Sequence, residues 1–410
     1  MLRVVPPEVI RPLSVKLPLS KSIANRLLVI RFLADGSIYC DEPDCDDTRI
    51  MHSLIRQLIT LPDSNVFDAG DAGTVFRFMA ALLAVTPGTR LLTGSPRMLL
   101  RPVGPLVDAL TKLGVNIEYQ GSPGFPPVKI NGGSLYGGSI RIDSSVSSQF
   151  ISALMMIAPT MKHGLELILE GETVSLPYIQ LTASLMRENG INIETDLPFI
   201  RIYPGAYQFV NTGIEGDWSA AAFWYALAAM KPGNSIALSG LKRGSAQGDR
   251  AVADMFRYAG VNSLWNGDNL VLQHQPVGSA EICIGFKETP DLFPAMVAAC
   301  AGRGCGAEFT GLSTLRIKES DRIEAMLEGL SRLGYRAYSP SPDRMVLIPG
   351  KVSKEPCVIS SHADHRIAMA FAMLSVKSGP LIIDCPEVVS KSYPAFWDHL
   401  KDAGFVLESC

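Results

Sequence analysis

Five times in this 410-residue chain a helix-length amphipathic segment runs into a glycine and then into the apolar start of a strand. The segments are VGPLVDALTKLGVNI, YIQLTASLMRENGINI, DRAVADMFRYAGVNS, RIEAMLEGLSRLGYRA and YPAFWDHLKDAGFVL, ending at Gly114, Gly190, Gly260, Gly334 and Gly404, at intervals of 76, 70, 74 and 70 residues. Counted back from the glycine, positions 11, 8, 7, 4 and 1 are apolar, as in Val103, Leu106, Val107, Leu110 and Leu113 of the first copy or Ile323, Met326, Leu327, Leu330 and Leu333 of the fourth. That spacing makes one face of a helix. Glycine just past the end accepts the left-handed conformation that stops it. Thr182 and Asn189 interrupt the stripe in the second copy, and Asp249 in the third.

A second series interleaves with the first. LSKSIANRLLVIRFLA, GDAGTVFRFMAALLAV, SVSSQFISALMMIA, GDWSAAAFWYALAAM, TPDLFPAMVAACA and ADHRIAMAFAMLSV begin near 20, 71, 145, 216, 289 and 363, each a small polar stretch opening into a helix apolar on nearly every side. A helix apolar all round must be enclosed by protein. Each unit of about 70 residues therefore supplies one buried helix, one covering helix and short strands such as SIRI at 139–142, ELIL at 166–169 and PLIID at 380–384. Six copies of an α/β unit follow. A chain this long exceeds one ordinary core, so three copies in each of two domains is expected.

Ser, Thr, Asp and Gly mark the starts of the buried helices, where unpaired N–H groups and the positive end of the helix dipole lie. Each start is either a plain N-cap or one contributor to a shared anion site. The composition narrows what else the chain can be. A net charge of −3 lacks the basic footprint of a nucleic-acid binder. The start MLRVVPPEVI carries no secretory signal, so the eight cysteines are expected as thiols in a reducing cytoplasm. Cys40/Cys45 and Cys300/Cys305 lack zinc spacing and the six histidines form no ligand set, so no metal is expected. The longest apolar runs, at 221–230 and 367–376, are half a bilayer span.

Basic residues gather at these helix starts: Lys21, Arg26, Arg77, Arg97, Arg101, Lys318, Arg322, Arg366 and Lys391. Arg77 sits inside an otherwise apolar helix and requires either a carboxylate or a ligand. Arg97 and Arg101 are four apart, and a helical turn would put them on one side. In LRIKESDRIEAM, Glu319 and Asp321 lie between Lys318 and Arg322, either serving the helix dipole or holding an acid tuned for proton transfer. SVSSQF offers hydroxyls and an amide suited to a polyol or phosphate, and Asp291 is a cap or a base. No phosphate loop, nucleophile elbow or dinucleotide fingerprint is present.

At these residues the sequence resembles the enolpyruvyl transferases, and within them the branch acting on a phosphorylated shikimate. LPLSKSIANR, GDAGTVFR, LTGSPRMLLRPVGPLVDAL, VSSQFISALMMIAP, SLPYI, EGDWSAA, QGD, PDLFPAM, RIKESDRI, ADHRIAMA and SKSYPAFW carry the likeness through nearly the whole chain. The resemblance implies an α/β fold of two similar domains, 1–18 with 215–410 and 19–214. Each would hold three βαβαββ units with buried helices directed at an interdomain cleft, an inside-out α/β barrel. It also implies transfer of the enolpyruvyl group of phosphoenolpyruvate to the 5-hydroxyl of shikimate 3-phosphate, by addition and then loss of phosphate, without a cofactor and as a monomer.

Shikimate 3-phosphate is thereby expected on Lys21, Ser22, Arg26, Ser147, Ser148, Gln149, Ser175, Tyr178, Asp291 and Lys318. Phosphoenolpyruvate is expected on Lys21, Gly73, Arg101, Gln149, Arg322, Arg366 and Lys391, and Gly73 leaves the room that implies inhibition by glyphosate. Asp291 and Lys21 would handle the hydroxyl proton and Glu319 the proton at C3. Phe78, Leu100, Leu176 and Thr314 depart from the family pattern, the last standing where an Asn contacts shikimate. The sister enzyme acting on UDP-N-acetylglucosamine resembles a cysteine-bearing loop enzyme, whereas TGSPRMLLRP has none. A catalytically silent binding protein is opposed by the retained Asp291 and Glu319, and an RNA-end-modifying relative by the lack of a nucleotide site.

Overall fold

The computed structural model describes residues 1–38, 43–233, 235–276, 281–349 and 357–410, so that Cys40 lies outside the described residues. The chain is a mixed α/β protein of helices and small sheets. The all-round apolar segments form α1 (Lys21–Asp35), α3 (Gly73–Val85), α5 (Ser148–Ile157), α7 (Trp218–Met230), α9 (Phe293–Arg303) and α11 (His365–Ser378). Burial follows from composition: every residue of α7 is buried, including Phe223, Trp224 and Tyr225. Each such large side chain taken from water favours the fold by about 1.5–3 kcal/mol.

The amphipathic segments form α4 (Gly104–Lys112), α6 (Leu176–Glu188), α8 (Val252–Tyr258), α10 (Arg322–Arg332) and α12 (Phe396–Asp402). The glycine after each has φ between 75° and 100°. A residue with a Cβ would be strained there. One more covering helix, α2 (Asp46–Thr60), was not reached by the glycine rule because it ends at Leu61 with φ of −132°. Its buried Met51, Leu54, Ile55 and Leu58 keep the helical period and were the available signal.

Among the described residues, five four-stranded sheets share one order, a parallel pair followed by two antiparallel neighbours. Strand Leu2–Val5 lies between Leu381–Ile383 and Val406–Ser409, so both chain ends share a sheet. Leu13–Lys16 runs parallel to Ile236–Ser239.

The chain divides into two compact units, 1–20 with 215–410 as the first and 21–214 as the second, each with its own core. Within the first, α7, α9 and α11 pack on one another; within the second, α1, α3 and α5 do. Among the described residues no helix is long and apolar enough to cross a membrane.

Close packing fixes one position sharply. A Cβ on Gly329 of α10 would fall inside the Phe371 ring of α11. Gly329→Ala is expected to cost about 1–3 kcal/mol despite the better helix propensity of alanine. All four tryptophans, Trp218, Trp224, Trp265 and Trp397, belong to the first unit, so their fluorescence in urea reads this loss directly.

Candidate active site

In the second unit the expected ligand residues are tied together at the starts of α1, α3, α5 and α6. Lys21 opens α1 and its Nζ lies 3.0 Å from Asp47 Oδ2, a buried carboxylate in the first turn of α2. One turn on, Arg26 donates from Nε to Thr182 Oγ1 at 2.7 Å and from its terminal nitrogens to the Ser22 carbonyl at 2.7 Å, Ser152 Oγ at 3.2 Å and the Tyr178 carbonyl at 3.3 Å. Its guanidinium also lies over the Phe78 ring. Burial, opposed by Tyr178, brings Arg26 down to about 10. It stays charged at neutral pH among neutral acceptors. Thr182, which broke the apolar stripe of the second copy, is thus the acceptor that holds this cation.

Ser147 caps α5, accepting from the Gln149 N–H at 3.3 Å, and the Gln149 amide donates to Thr74 Oγ1 at 3.1 Å, joining the starts of α5 and α3. Ser148 is buried beside them. Ser175 precedes α6 with φ of 55°, an uncommon conformation for a residue with a Cβ, and its carbonyl accepts from the Tyr178 N–H. Arg77 is answered by the carbonyls of Gly73 at 2.9 Å and Pro102 at 3.1 Å and by the Phe150 ring.

Arg97 and Arg101 do not share a side. The segment between them is a single tight turn, Met98–Leu100, that leaves Arg97 exposed while Arg101 is 5% exposed. Among the described residues Arg101 makes one long hydrogen bond, 3.4 Å to the Asp71 carbonyl, and its buried Nε has no partner. A Cβ added at Gly73 would stand 2.5 Å from terminal nitrogens of both Arg77 and Arg101. Glycine is therefore what lets two guanidinium groups converge over the start of α3.

In the first unit the cluster is built on Arg322, 1% exposed at the first position of α10. Its Nε donates to Asp364 Oδ2 at 2.8 Å, one terminal nitrogen to Asp291 Oδ1 at 2.8 Å and the other to Glu319 Oε2 at 2.9 Å. Asp291 also pairs with Arg366 at 3.0 Å and Lys318 at 3.6 Å. Burial alone would raise the Asp291 carboxyl, but Arg366, Lys318 and Arg322 hold it well below the ordinary carboxylate range. Burial likewise works against the charge on Arg322, and Asp364, Glu319 and Asp291 overcome it. Asp291 caps nothing; it lies in the short turn Pro290–Leu292.

Asp364, which the sequence reading missed, caps α11 and accepts from the Arg366 N–H. An Asp directly before an apolar helix was its signal. Two consecutive left-handed residues, His362 and Ala363, aim it. Lys391 is buried at the end of the short helix Pro386–Lys391, which packs on α11. Thr314 Oγ1 is buried without a partner among the described residues, and Leu100 is 69% exposed.

Each unit thus carries its own set of charged groups: guanidinium groups on neutral acceptors in the second, and cations interleaved with carboxylates in the first. The model of EPSP synthase (3-phosphoshikimate 1-carboxyvinyltransferase) matches residues 12–400. A 3-phosphoshikimate 1-carboxyvinyltransferase of Bacteroides fragilis is 41% identical over 395 residues, 96% of this chain and 95% of its own. Another from Methanospirillum hungatei is 36% identical over 409 residues, 94% of each chain. A solved EPSP synthase structure from Acinetobacter baumannii superposes with a TM-score of 0.75 at 23% identity, covering 100% of this chain and 99% of that one, which speaks for the fold. A match along almost the full length, in sequence and in fold, establishes that the chain belongs to the EPSP synthase family.

Proposed function

We propose that this chain transfers the enolpyruvyl group of phosphoenolpyruvate to the 5-hydroxyl of shikimate 3-phosphate, releasing phosphate, as a monomeric cytoplasmic enzyme. Family membership supports the reaction, and the seven described cysteines, all free thiols, fit a reducing compartment. We read the two units as domains, each of three copies of one α/β unit whose buried helices begin at the ligand-binding groups. The shared order of the five sheets supports that reading.

The observation that carries the assignment is Arg101, a buried guanidinium with one long hydrogen bond and an unpartnered Nε, beside a second guanidinium over Gly73. Two converging cations, Arg101 with a donor to spare, match a phosphate or carboxylate. Phosphoenolpyruvate carries both. Ser22, Arg26, Ser147, Ser148, Gln149, Ser175 and Tyr178 then serve shikimate 3-phosphate, with Lys318 and Asp291 from the first unit.

Asp291 accepts the 5-hydroxyl proton as that oxygen bonds C2 of phosphoenolpyruvate, with Lys21 beside the developing charge. Glu319 gives a proton to C3 and takes one back as phosphate leaves, and the proton held by Asp291 departs with the phosphate. Held by three cations, Asp291 is a weak base in the empty enzyme. Arg322 and Arg366 are the residues expected to bind the donor, and drawing them toward its anionic groups raises the proton affinity of Asp291. The base is thereby strengthened when substrate is present.

Inorganic phosphate release on mixing the protein with shikimate 3-phosphate and phosphoenolpyruvate tests the assignment. Release is expected only with both present. No release with that pair, but release with UDP-N-acetylglucosamine and phosphoenolpyruvate, overturns it in favour of the sister reaction.

A further inference from the structure

The apolar stripe of the covering helices is broken at its first position in one copy only. Eleven residues before the closing glycine stand Val103, Ile179, Asp249, Ile323 and Tyr393, and every one of them is buried. Four are apolar or aromatic, as packing requires; the third is a carboxylate that is 2% exposed. A local rule broken at a buried position without a packing gain marks a site where function has overridden stability.

Asp249 lies in the short helical turn Gly248–Ala251 that leads into α8 and packs on α7. Its Oδ2 is hydrogen-bonded to Ser219 Oγ in the first turn of α7. The charged groups around it are Asp291 from the turn before α9, Arg366 from the start of α11 and Asp217, the cap of α7. Arg250, on its own turn, is directed away to the Arg243 carbonyl. The turn that carries Asp291 also packs on α7, and Asp291 pairs with Arg366, so Asp249 shares its helix contact with the two groups that the proposed mechanism uses most directly.

We infer that Asp249 is a positioning carboxylate of this reaction, making Asp291 a better proton acceptor through its own negative charge. The inference rests on the enolpyruvyl-transfer reading given above. Two nearby carboxylates each favour the other's protonation. Burial and the neighbouring Asp291 raise Asp249 to about 6, against the pull of Arg366 and Ser219, so it is ionised at neutral pH and loses its charge in mild acid. Below that point Asp291 loses this neighbouring negative charge.

Asp249→Asn tests the charge, and Asp249→Ile, which gives this copy the residue found in two others, tests the packing. In wild type, kcat is expected to fall on the acid side with a midpoint near 6. Asp249→Asn is expected to lower kcat by about tenfold or more with little change in KM, and to lose that limb. Asp249→Glu recovers part of the rate. Asp249→Ile is expected to be equally slow yet more resistant to urea. The sign follows from an acid whose folded pKa is raised: it weakens the fold progressively between about pH 4 and 6 and fully above. The gain in Asp249→Ile therefore widens over that interval and levels off. Wild-type kcat in the Asn variant, or a slower enzyme whose acid limb stays in place, overturns the inference. Should the Ile variant fail to fold, the Asn profile decides. Absence of phosphate release in wild type instead strikes the underlying reading.

Discussion

Arg322→Ala is expected to destabilise the first unit by about 3–5 kcal/mol, the usual consequence of removing one member of a buried ionic cluster. Arg322 meets Asp364, Asp291 and Glu319 through three separate nitrogens, and its own side chain is 1% exposed. Asp291 keeps Arg366 and Lys318 after the substitution. Asp364, wholly buried, keeps Ser320 Oγ at 3.1 Å, the cap contact to the Arg366 N–H and His365 Nδ1 at 3.6 Å, but no permanent cation among the described residues. That residue drives the cost, since an ionised group left in a protein interior without its cation must protonate or drag the site open. The pH dependence has a definite sign. Asp291 is depressed in the folded protein, so its pairing contributes stability above the unfolded carboxylate pKa that is lost as pH falls through the folded value. The gap between variant and wild type is thus widest at neutral pH and narrows in acid. Arg322→Lys recovers only part of the loss, because one ammonium cannot address three directions from a single planar fork. Tryptophan fluorescence in urea at several pH values measures all of this, and an unchanged midpoint for Arg322→Ala at neutral pH refutes the central role of the cluster.

Why the periodic part of the fold was legible and the ionic part less so is a matter of range. Helix faces and stops are local: the residues at 11, 8, 7, 4 and 1 before Gly334 lie on one face, and Gly334 itself takes φ of 81°. α2 escaped because a leucine does the work of the glycine elsewhere. Strand partners are non-local, and nothing in LRVV announces that it will lie between strands near the other end of the chain. The basic residues were recognisable as a group, but their counter-charges were not, since Asp47 and Asp364 look like ordinary helix-start acids until Lys21 and Arg322 are seen against them. Arg77 was left between a carboxylate and a ligand, and two carbonyls and the Phe150 ring also hold it. The interruptions of the pattern held the most: Thr182 receives Arg26, Asn189 ties its own helix to Val210, and Asp249 is hydrogen-bonded to Ser219 at the start of α7.

Lys21→Met is expected to lower kcat/KM by about 10²- to 10³-fold, the range for deleting one preorganised charge from a transition-state site. The substitution keeps the length and apolar stem of the side chain and removes only the ammonium. Its stability effect is smaller than that of Arg322→Ala, because the Asp47 left behind sits in the first turn of α2, where the helix dipole favours a carboxylate. Two roles for Lys21 are separable through this partner. If it acts on substrate, the double variant Lys21→Met with Asp47→Asn regains the unfolding midpoint lost in the single variant but stays inactive. If it serves only to neutralise Asp47, from which it lies 3.0 Å away, the double variant regains turnover as well. Asp47→Asn alone removes this carboxylate from the ammonium, so kcat is expected to fall by less than in Lys21→Met while KM for both substrates rises. Recovery of turnover in the double variant removes Lys21 from the reaction; inactivity together with restored stability keeps it there.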